Sequence, residues 1–228
     1  MRYRAILLDA DDTIFDFRAC ERNAITALAR HIGLADPDAP AVYSEINRAC
    51  WVEYERGLIT QQRLSVRRFE AFLAHYAMTW LDPAIMADHY ERALSHQAVM
   101  IEGAEQVVRE IAAHRPIAMV TNGIARCQRG RLEISPVKPF FQTVVISGEC
   151  GCAKPDPRMI EIALGLLGNI PKADVLMVGD SLHSDIRCAL NAGVDACWYN
   201  PRGEEHPADM DIRHTISDIR QLVPIALQ

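Results

Sequence analysis

The feature that most constrains this chain is a short apolar run near its start that leads directly into a cluster of acids. Ile6, Leu7 and Leu8 are followed by Asp9, and Asp11 lies two residues further on. Consecutive apolar residues of this kind are typical of a fully buried strand in a parallel sheet. Carboxylates this close repel one another unless a cation or a shared proton compensates their charge. An isolated Asp-x-Asp is more often an acidic turn that caps the next helix. Whether these acids form such a turn or part of a functional site therefore depends on the residues found elsewhere in the chain.

The remainder of the chain divides into a helical segment and an alternating segment. Between residues 16 and 97, apolar residues recur at helical spacing, and Gly and Pro breakers separate about four helices. From Gly103 onward, helix-like and strand-like segments alternate, which indicates a parallel sheet with right-handed crossovers. We therefore predict an α/β protein in which a helical bundle is inserted between the first strand and the rest of the sheet.

Composition limits the possible ligands and locations. The chain has 228 residues and a net charge of −6, and it contains no basic stretch, which argues against nucleic acid as a partner. No apolar run approaches the roughly 18 residues of a membrane span, and the chain opens without an export pattern. Seven scattered cysteines are then expected to be reduced in the cytoplasm. Cys150-Gly151-Cys152 lacks a second Cys or His pair at zinc spacing, so its role is expected to be structural or incidental. No sequence feature specifies an oligomer.

Polar residues follow three of the predicted strands at the point where each strand ends. Asp9, Thr121-Asn122 and Asp180 occupy these positions. Parallel topology brings such strand ends to one edge of the sheet, where open α/β sheets bind their ligands. The convergence turns a weak local motif into a predicted site.

The residue types at the first two strand ends suit nucleophilic catalysis through a covalent intermediate. Asp9 is placed to act as a carboxylate nucleophile that forms a covalent intermediate. Asp11 can protonate a departing alkoxide and then deprotonate water, and its backbone carbonyl can bind a metal. Thr121, Asn122 and Gly123 offer donors to an anionic oxygen, although Thr-Asn-Gly alone is more often a simple turn.

Two later segments complete the predicted site. Lys154, held in extended backbone before Pro155, would keep a nucleophilic carboxylate ionised and balance substrate charge. Asp180 can complete a hard-cation site with Asp9, and oxygen ligands beside a phosphate indicate Mg²⁺. Asp185 can orient Lys154 or a metal-bound water. A solitary lysine is more often a surface residue, and Asp180 can also cap the helix that follows it.

Four motifs in this order resemble those of the haloacid dehalogenase-like hydrolase superfamily. They are Asp9-x-Asp11-x-Thr13, Thr121-Asn122, Lys154-Pro155 and Gly179-Asp180-x4-Asp185. The resemblance spans nearly the whole chain and implies a Rossmann-like three-layer core with a parallel sheet, an aspartyl-phosphate intermediate and Mg²⁺. It assigns residues 1–15 and 98–228 to the core and residues 16–97 to a helical cap of the first type (C1), and it gives Thr13 a supporting place in the site.

A closer similarity is to the pyrimidine 5′-nucleotidase branch of that superfamily, which acts as a house-cleaning nucleoside monophosphatase. The features that carry it are Asp9-Ala10-Asp11-Asp12-Thr13, Trp51-Val52-Glu53-Tyr54, Thr121-Asn122-Gly123, Ala153-Lys154-Pro155 and Cys197-Trp198-Tyr199-Asn200. It implies a small-molecule phosphomonoester substrate, most specifically a pyrimidine nucleoside 5′-monophosphate. Residues 133–139 depart from the branch pattern and are predicted to form a loop at the solvent edge. In the cap, Trp51, Tyr54 and Phe69 could stack on a base, although aromatic residues at helical spacing more often belong to a core.

Three other functions fit the same scaffold less well. One is a phosphatase of sugar phosphates or phosphoglycolate. Carbon–halogen hydrolysis is another, but it needs no acid at the position of Asp11. The last is a non-enzymatic module that uses the helical insertion as an interaction surface, which the complete set of motifs disfavours.

Overall fold

The computed structural model describes residues 2–228. Contacts divide them into two compact units. One unit comprises the chain up to Asp16 together with Val99–Ala125 and Leu132–Gln228, and the other comprises Phe17–Ala98 and Arg126–Arg131. The division into a core, residues 1–15 and 98–228, and a helical cap, residues 16–97, stays a prediction.

A six-stranded sheet, parallel throughout, organises the first unit, with strand order β3-β2-β1-β4-β5-β6. Its strands are β1 (Ala5–Leu8), β2 (Ile117–Thr121), β3 (Thr143–Ile146), β4 (Val175–Gly179), β5 (Asp195–Tyr199) and β6 (His214–Ile216). Every residue of β1, β2 and β4 is buried. Consecutive apolar residues form such strands because a parallel sheet is covered on both faces, and the predicted α/β fold is confirmed.

Four helices form most of the second unit: α1 (Phe17–His31), α2 (Ala39–Glu55), α3 (Gln61–His75) and α4 (Pro83–Ser95). Thr60, a residue type that favours the N-cap position, caps α3, since its side chain accepts a hydrogen bond from the Arg63 amide at 3.2 Å. Phe69 lies fully buried among aromatic rings, 5.2 Å from Tyr43 and 5.5 Å from Tyr90 between ring centroids. Phe69 is therefore a core residue of this unit.

The helices after the insertion are α5 (Ala104–Ala112), α6 (Ala125–Glu133), α7 (Ser147–Cys150), α8 (Arg158–Leu166), α9 (Arg187–Ala192) and α10 (Leu222–Ala226). Short 3-10 turns cover Lys138–Phe140, Lys172–Asp174 and Ile219–Gln221. None of the helices within residues 2–228 combines the length and the apolar character that crossing a bilayer demands.

Several predicted boundaries differ from the structure. The sequence pattern predicts one α-helix over residues 182–192, but the structure begins it with a π-helical turn, Leu182–Ile186, before α9. The sequence pattern predicts a last short strand over residues 212–215, and the structure places that strand at His214–Ile216. The sequence predicts Ser217 as the cap of the final helical segment, but Asp218 caps it, because its carboxylate accepts from the Arg220 amide at 2.9 Å.

The segment 133–139, predicted to be a loop at the solvent edge, is partly inside the protein. Val137 is fully buried and Ser135 nearly so. The Ser135 hydroxyl accepts a hydrogen bond from the Val137 amide at 3.2 Å. Val137, which lies between Pro136 and Pro139, therefore packs in the protein interior.

Candidate active site

The predicted convergence of strand ends is present in the first unit. Strand β1 lies between β2 and β4, with Leu8 opposite Met119 and Val178. Asp9 follows β1, and its amide donates to the carbonyl of Val178 at 2.9 Å. Asp180 follows β4 directly, so the two acids leave neighbouring strands at the same edge.

A tight turn follows β1 and includes two of the acids, Asp11 and Asp12. Asp12 adopts a positive φ of 55°, in the left-handed region. The amides of Ile14 and Phe15 both donate to the carbonyl of Ala10 at 2.9 Å. Aspartate tolerates this conformation better than most residues because its short side chain can hydrogen-bond locally. The turn therefore accommodates an aspartate in a backbone conformation that usually favours glycine.

Lys154 is the centre of the site. Its side chain is 1% exposed, and its ammonium donates to an oxygen of Asp9, to Asp185 Oδ1 at 2.6 Å and to the carbonyl of Val120 at 2.8 Å. Three donors therefore have three acceptors. Burial alone would lower the pKa of Lys154, but the charges of Asp185 and Asp9 outweigh it and hold that pKa above its usual value. The lysine is a fixed cation between two carboxylates.

Asn122 holds the lysine segment in place through its side chain. Its Nδ2 donates to the backbone carbonyl of Lys154 at 2.8 Å, and its Oδ1 accepts from the backbone amide of Lys154 at 2.8 Å. This pair of hydrogen bonds links the end of β2 to a loop 32 residues away. The Asn122 amide thus positions Lys154, while its predicted contact with phosphate stays a prediction.

Asp185 is buried and uses both oxygens of its carboxylate. Oδ1 accepts from Lys154, and Oδ2 accepts from the amide of Ser181 at 3.0 Å. Gly179 makes room for this carboxylate, because a Cβ added there would lie less than 3.0 Å from the Asp185 side chain. The glycine of the fourth motif therefore has a steric reason.

The carboxylates of Asp9, Asp180 and Asp185 each offer an oxygen, and these oxygens lie within 4.8 Å of one another. Burial, followed by the charge of Asp185, raises the pKa of Asp9. Burial and the charges of Asp185, Asp9 and Asp12 raise the pKa of Asp180 to about 8. Three acids face one ammonium, and the negative charge left over makes this cluster suited to a divalent cation with a preference for oxygen ligands.

Trp198 supports the site in a way that the sequence did not reveal. Its indole Nε1 donates to the backbone carbonyl of Asp180 at 2.9 Å, and its side chain is almost fully buried. The residue lies on β5 opposite Gly179. It belongs to a segment that carries the resemblance to the nucleotidase branch, and its position under Asp180 gives that tryptophan a physical function.

The other predicted residues are placed as follows. Thr13 is fully buried, and its hydroxyl lies 3.5 Å from Asp9 Oδ2, the outer limit of a hydrogen bond. Thr121 is buried at the end of β2, and the Gly123 amide donates to the Ser147 hydroxyl at 3.2 Å. Asp11 is half-buried in the turn.

The two aromatic residues predicted to contact substrate lie on α2 in the second unit. Trp51 and Tyr54 are both partly exposed. Their rings meet edge to face, with 5.5 Å between centroids. They form a pair separate from the buried aromatic core around Phe69, and their contact with substrate stays a prediction.

Comparisons with known proteins agree with this geometry. The sequence pattern of the haloacid dehalogenase-like hydrolases matches residues 3–193. The pyrimidine 5′-nucleotidase YjjG of Escherichia coli is 31% identical over 222 residues, covering 97% of both chains. The pyrimidine 5′-nucleotidase PynA of Streptococcus pneumoniae is 35% identical over 208 residues, covering 90% of this chain and 87% of its own.

A solved structure with a similar fold is that of the HAD-hydrolase YfnB from Bacillus subtilis, which was determined with magnesium bound. The two chains superpose with a TM-score of 0.92, are 30% identical and cover each other completely. The extent of the family match, the near-complete coverage and the four motifs at one sheet edge lead to one conclusion. This chain belongs to the haloacid dehalogenase-like hydrolase family.

Proposed function

We propose that this hydrolase is a Mg²⁺-dependent phosphomonoesterase that works through a phosphoryl group attached to Asp9, with nucleoside 5′-monophosphates as substrates. The observation that carries the proposal is the buried Lys154 ammonium, which contacts Asp9 and Asp185 at the edge of the sheet where Asp180 also ends. A cation fixed at that point favours the ionised nucleophile and attracts an anionic phosphoryl group.

The proposed reaction has two steps. An oxygen of Asp9 attacks phosphorus and the bond to the leaving oxygen breaks, while Asp11 gives that oxygen a proton. Asp11, now a carboxylate, removes a proton from water as the water attacks the aspartyl-phosphate. The bond between phosphorus and the Asp9 oxygen breaks, which releases inorganic phosphate and restores both acids to their starting states.

The donor set fits magnesium. Asp9 and Asp180 would supply carboxylate oxygens, and the backbone carbonyl of Asp11 is the predicted third ligand. Asp185 is better suited to an indirect role, because both of its oxygens already accept hydrogen bonds. Bound magnesium would offset the charge of the phosphoryl group and of the acids.

Two lines of support point to nucleotides among phosphomonoesters. YjjG and PynA, at 31% and 35% identity, are both named pyrimidine 5′-nucleotidases. The partly exposed pair of Trp51 and Tyr54 offers aromatic surface of the kind that stacks on a base. Neither the acids nor Lys154 can distinguish one leaving group from another, so selection falls to the helical segment.

A substrate panel tests the proposal. Phosphate release is measured from UMP, dUMP and dTMP and from sugar phosphates, with Mg²⁺ and after removal of metal by EDTA. We expect nucleotides to be preferred and EDTA to abolish turnover. A tenfold or greater preference for sugar phosphates would remove the nucleotide claim, and the absence of turnover on every ester would remove the enzymatic claim.

Asp9→Asn tests the covalent step separately. The variant should fold normally and lose turnover, because an amide oxygen is a poor nucleophile. The exposed Asp211→Asn is the matched control and should retain activity. Substantial turnover by Asp9→Asn would refute the covalent route and leave the fold intact.

Trp51→Ala tests the aromatic pair. If Trp51 stacks on a base, the variant should lose more activity on nucleotides than on a minimal aryl phosphate. Trp80→Ala is the control, since Trp80 is 74% exposed. Equal losses on both substrates would assign Trp51 to packing.

A further inference from the structure

Three sulfur atoms meet beside the segment that leads to Lys154. Cys150 Sγ lies 3.5 Å from Cys152 Sγ and 3.1 Å from Met159 Sδ. Cys150 ends α7, and Met159 is the second residue of α8. Gly151 adopts a positive φ of 70°, which glycine reaches at little cost, and the turn it makes folds the two cysteines onto each other.

The residues of the sulfur cluster differ in their exposure to solvent. Cys150 is partly exposed, whereas Cys152 and Met159 are buried. An ion arriving from solvent would meet Cys150 first and then reach the two buried sulfurs. Arg158, which pairs with Asp156 at 2.6 Å, also lies within the electrostatic field of both thiols and would offset negative charge there.

The ligand types select the class of metal. Zinc is normally held by four nitrogen, sulfur or carboxylate ligands. Within residues 2–228, the one group of three or more His, Cys, Asp or Glu side chains that gathers at ligand distance is the acidic cluster at Asp9. A pair of thiols joined by a thioether is instead a soft donor set of the kind that selects Cu(I).

Disulfide formation explains the arrangement less well. Burial raises the pKa of Cys152 to about 11, so this residue is a thiol at neutral pH and a weak nucleophile. A disulfide between Cys150 and Cys152 would also leave the contact between Cys150 and Met159 unexplained. A metal uses all three sulfurs and displaces the proton from each thiol as it binds.

We propose that Cys150, Cys152 and Met159 form a binding site for one soft monovalent metal ion, Cu(I), separate from the predicted magnesium site. Binding converts two thiols to thiolates and releases two protons, without a change of oxidation state at sulfur or copper. The proposal does not depend on the substrate of the enzyme.

The test uses the full-length, reduced protein without oxygen. Cu(I) is supplied as its coloured complex with bicinchoninate, and uptake is measured as loss of that colour. Wild-type protein should remove one Cu(I) per chain. Cys150→Ser and Cys152→Ser should each remove none under the same competition, whereas Cys50→Ser, which changes a buried thiol in the second unit, should behave as wild type.

Met159→Leu separates the three-sulfur site from a simple thiol pair. The substitution conserves volume in the core, so the variant should fold, which circular dichroism checks. We expect its Cu(I) affinity to fall by at least about 10-fold, because loss of even a residue that supports a metal ligand costs about this much. X-ray absorption of the loaded wild type should show three sulfur neighbours around copper.

The proposal is overturned by no uptake by the wild type, by wild-type uptake in Cys150→Ser or Cys152→Ser, or by wild-type affinity in Met159→Leu. Nitrogen or oxygen neighbours in the absorption spectrum would also overturn it. If a cysteine variant fails to fold, the Met159→Leu affinity and the absorption spectrum still decide.

Discussion

The tight contact between Gly179 and Asp185 leads to a sharp prediction, which is the effect of Gly179→Ala. The new methyl group would approach the Asp185 side chain closer than 3.0 Å, a separation that real Cβ atoms essentially never show. The Asp185 carboxylate has little freedom to move, since its oxygens bond Lys154 at 2.6 Å and the Ser181 amide at 3.0 Å. Either the strand or the carboxylate must shift.

Two effects determine the size of the expected changes: overpacking lowers the stability, and misplacement of Asp185 lowers the rate. Extra methyl groups in a well-packed interior cost typically about 1–3 kcal/mol, so we expect the free energy of unfolding to fall by that amount. A displacement of about 1 Å in a catalytic arrangement can cost about 100-fold in rate. Because Asp185 orients Lys154, we expect kcat to fall by roughly one to two orders of magnitude.

The assay measures urea unfolding and phosphate release at saturating Mg²⁺. Gly165→Ala is the matched control. Gly165 lies within helix α8, and a Cβ there meets no atom within 4 Å. This control should raise stability by about 0.5–1 kcal/mol, since alanine favours a helix over glycine, and should leave kcat unchanged.

A double-mutant cycle shows whether the effect acts through Asp185. In an Asp185→Ala background the carboxylate is absent, so Gly179→Ala should cost much less stability than it does in the wild type, with a coupling of about 0.5–3 kcal/mol. Wild-type stability and kcat in Gly179→Ala would refute the steric argument. Equal costs in both backgrounds would show that the methyl group clashes with something other than Asp185.

Three further predictions concern charge. Lys154→Met removes the cation from two buried carboxylates, so we expect it to lower the free energy of unfolding by urea by about 3–5 kcal/mol and to remove most of the activity. Lys172→Met is the control, since Lys172 belongs to an exposed pair, and it should cost no more than about 1 kcal/mol. Equal costs for the two variants would contradict the prediction. Asp11→Asn should lower kcat by about 10²–10⁴-fold, and a smaller loss would exclude Asp11 as the general acid. The pKa of Asp180 is raised from 3.8 to about 8, so its protonated form favours the folded state and metal-free stability should fall as pH rises through this range. The increase in Tm caused by Mg²⁺ should therefore be larger at pH 8 than at pH 5, and an equal increase would contradict the assignment.

Local pattern was sufficient to predict the fold and the elements of the site. Apolar runs such as Ile6 to Leu8 predict buried strands because a sheet covered on both faces leaves no polar positions. Since parallel strands end at one edge, Asp9 and Asp180 could be expected to meet from their positions alone. The family and the α/β architecture are confirmed, while the catalytic roles of these residues and the choice of substrate stay predictions.

Boundaries and partners were harder to predict where two candidates compete within a few residues. Ser217 and Asp218 are both good capping residues, and the capping box with Gln221 decides for Asp218. Phe69 and Trp51 both fit helical periodicity, but packing against Tyr43 makes only the first of them a core residue. Periodicity identifies a helix face and does not say how deeply each residue is buried.

The sequence by itself determined that this chain builds a parallel sheet with carboxylates and a lysine at one edge, because strand period, apolar runs and motif order are local properties. Only the tertiary structure decided that Asn122 holds the backbone of Lys154, that Trp198 supports Asp180 and that Gly179 makes room for Asp185. The same holds for the meeting of Met159 with two cysteines. These contacts join residues that are distant in the chain, and their geometry follows from how whole strands and helices pack, which no local pattern records.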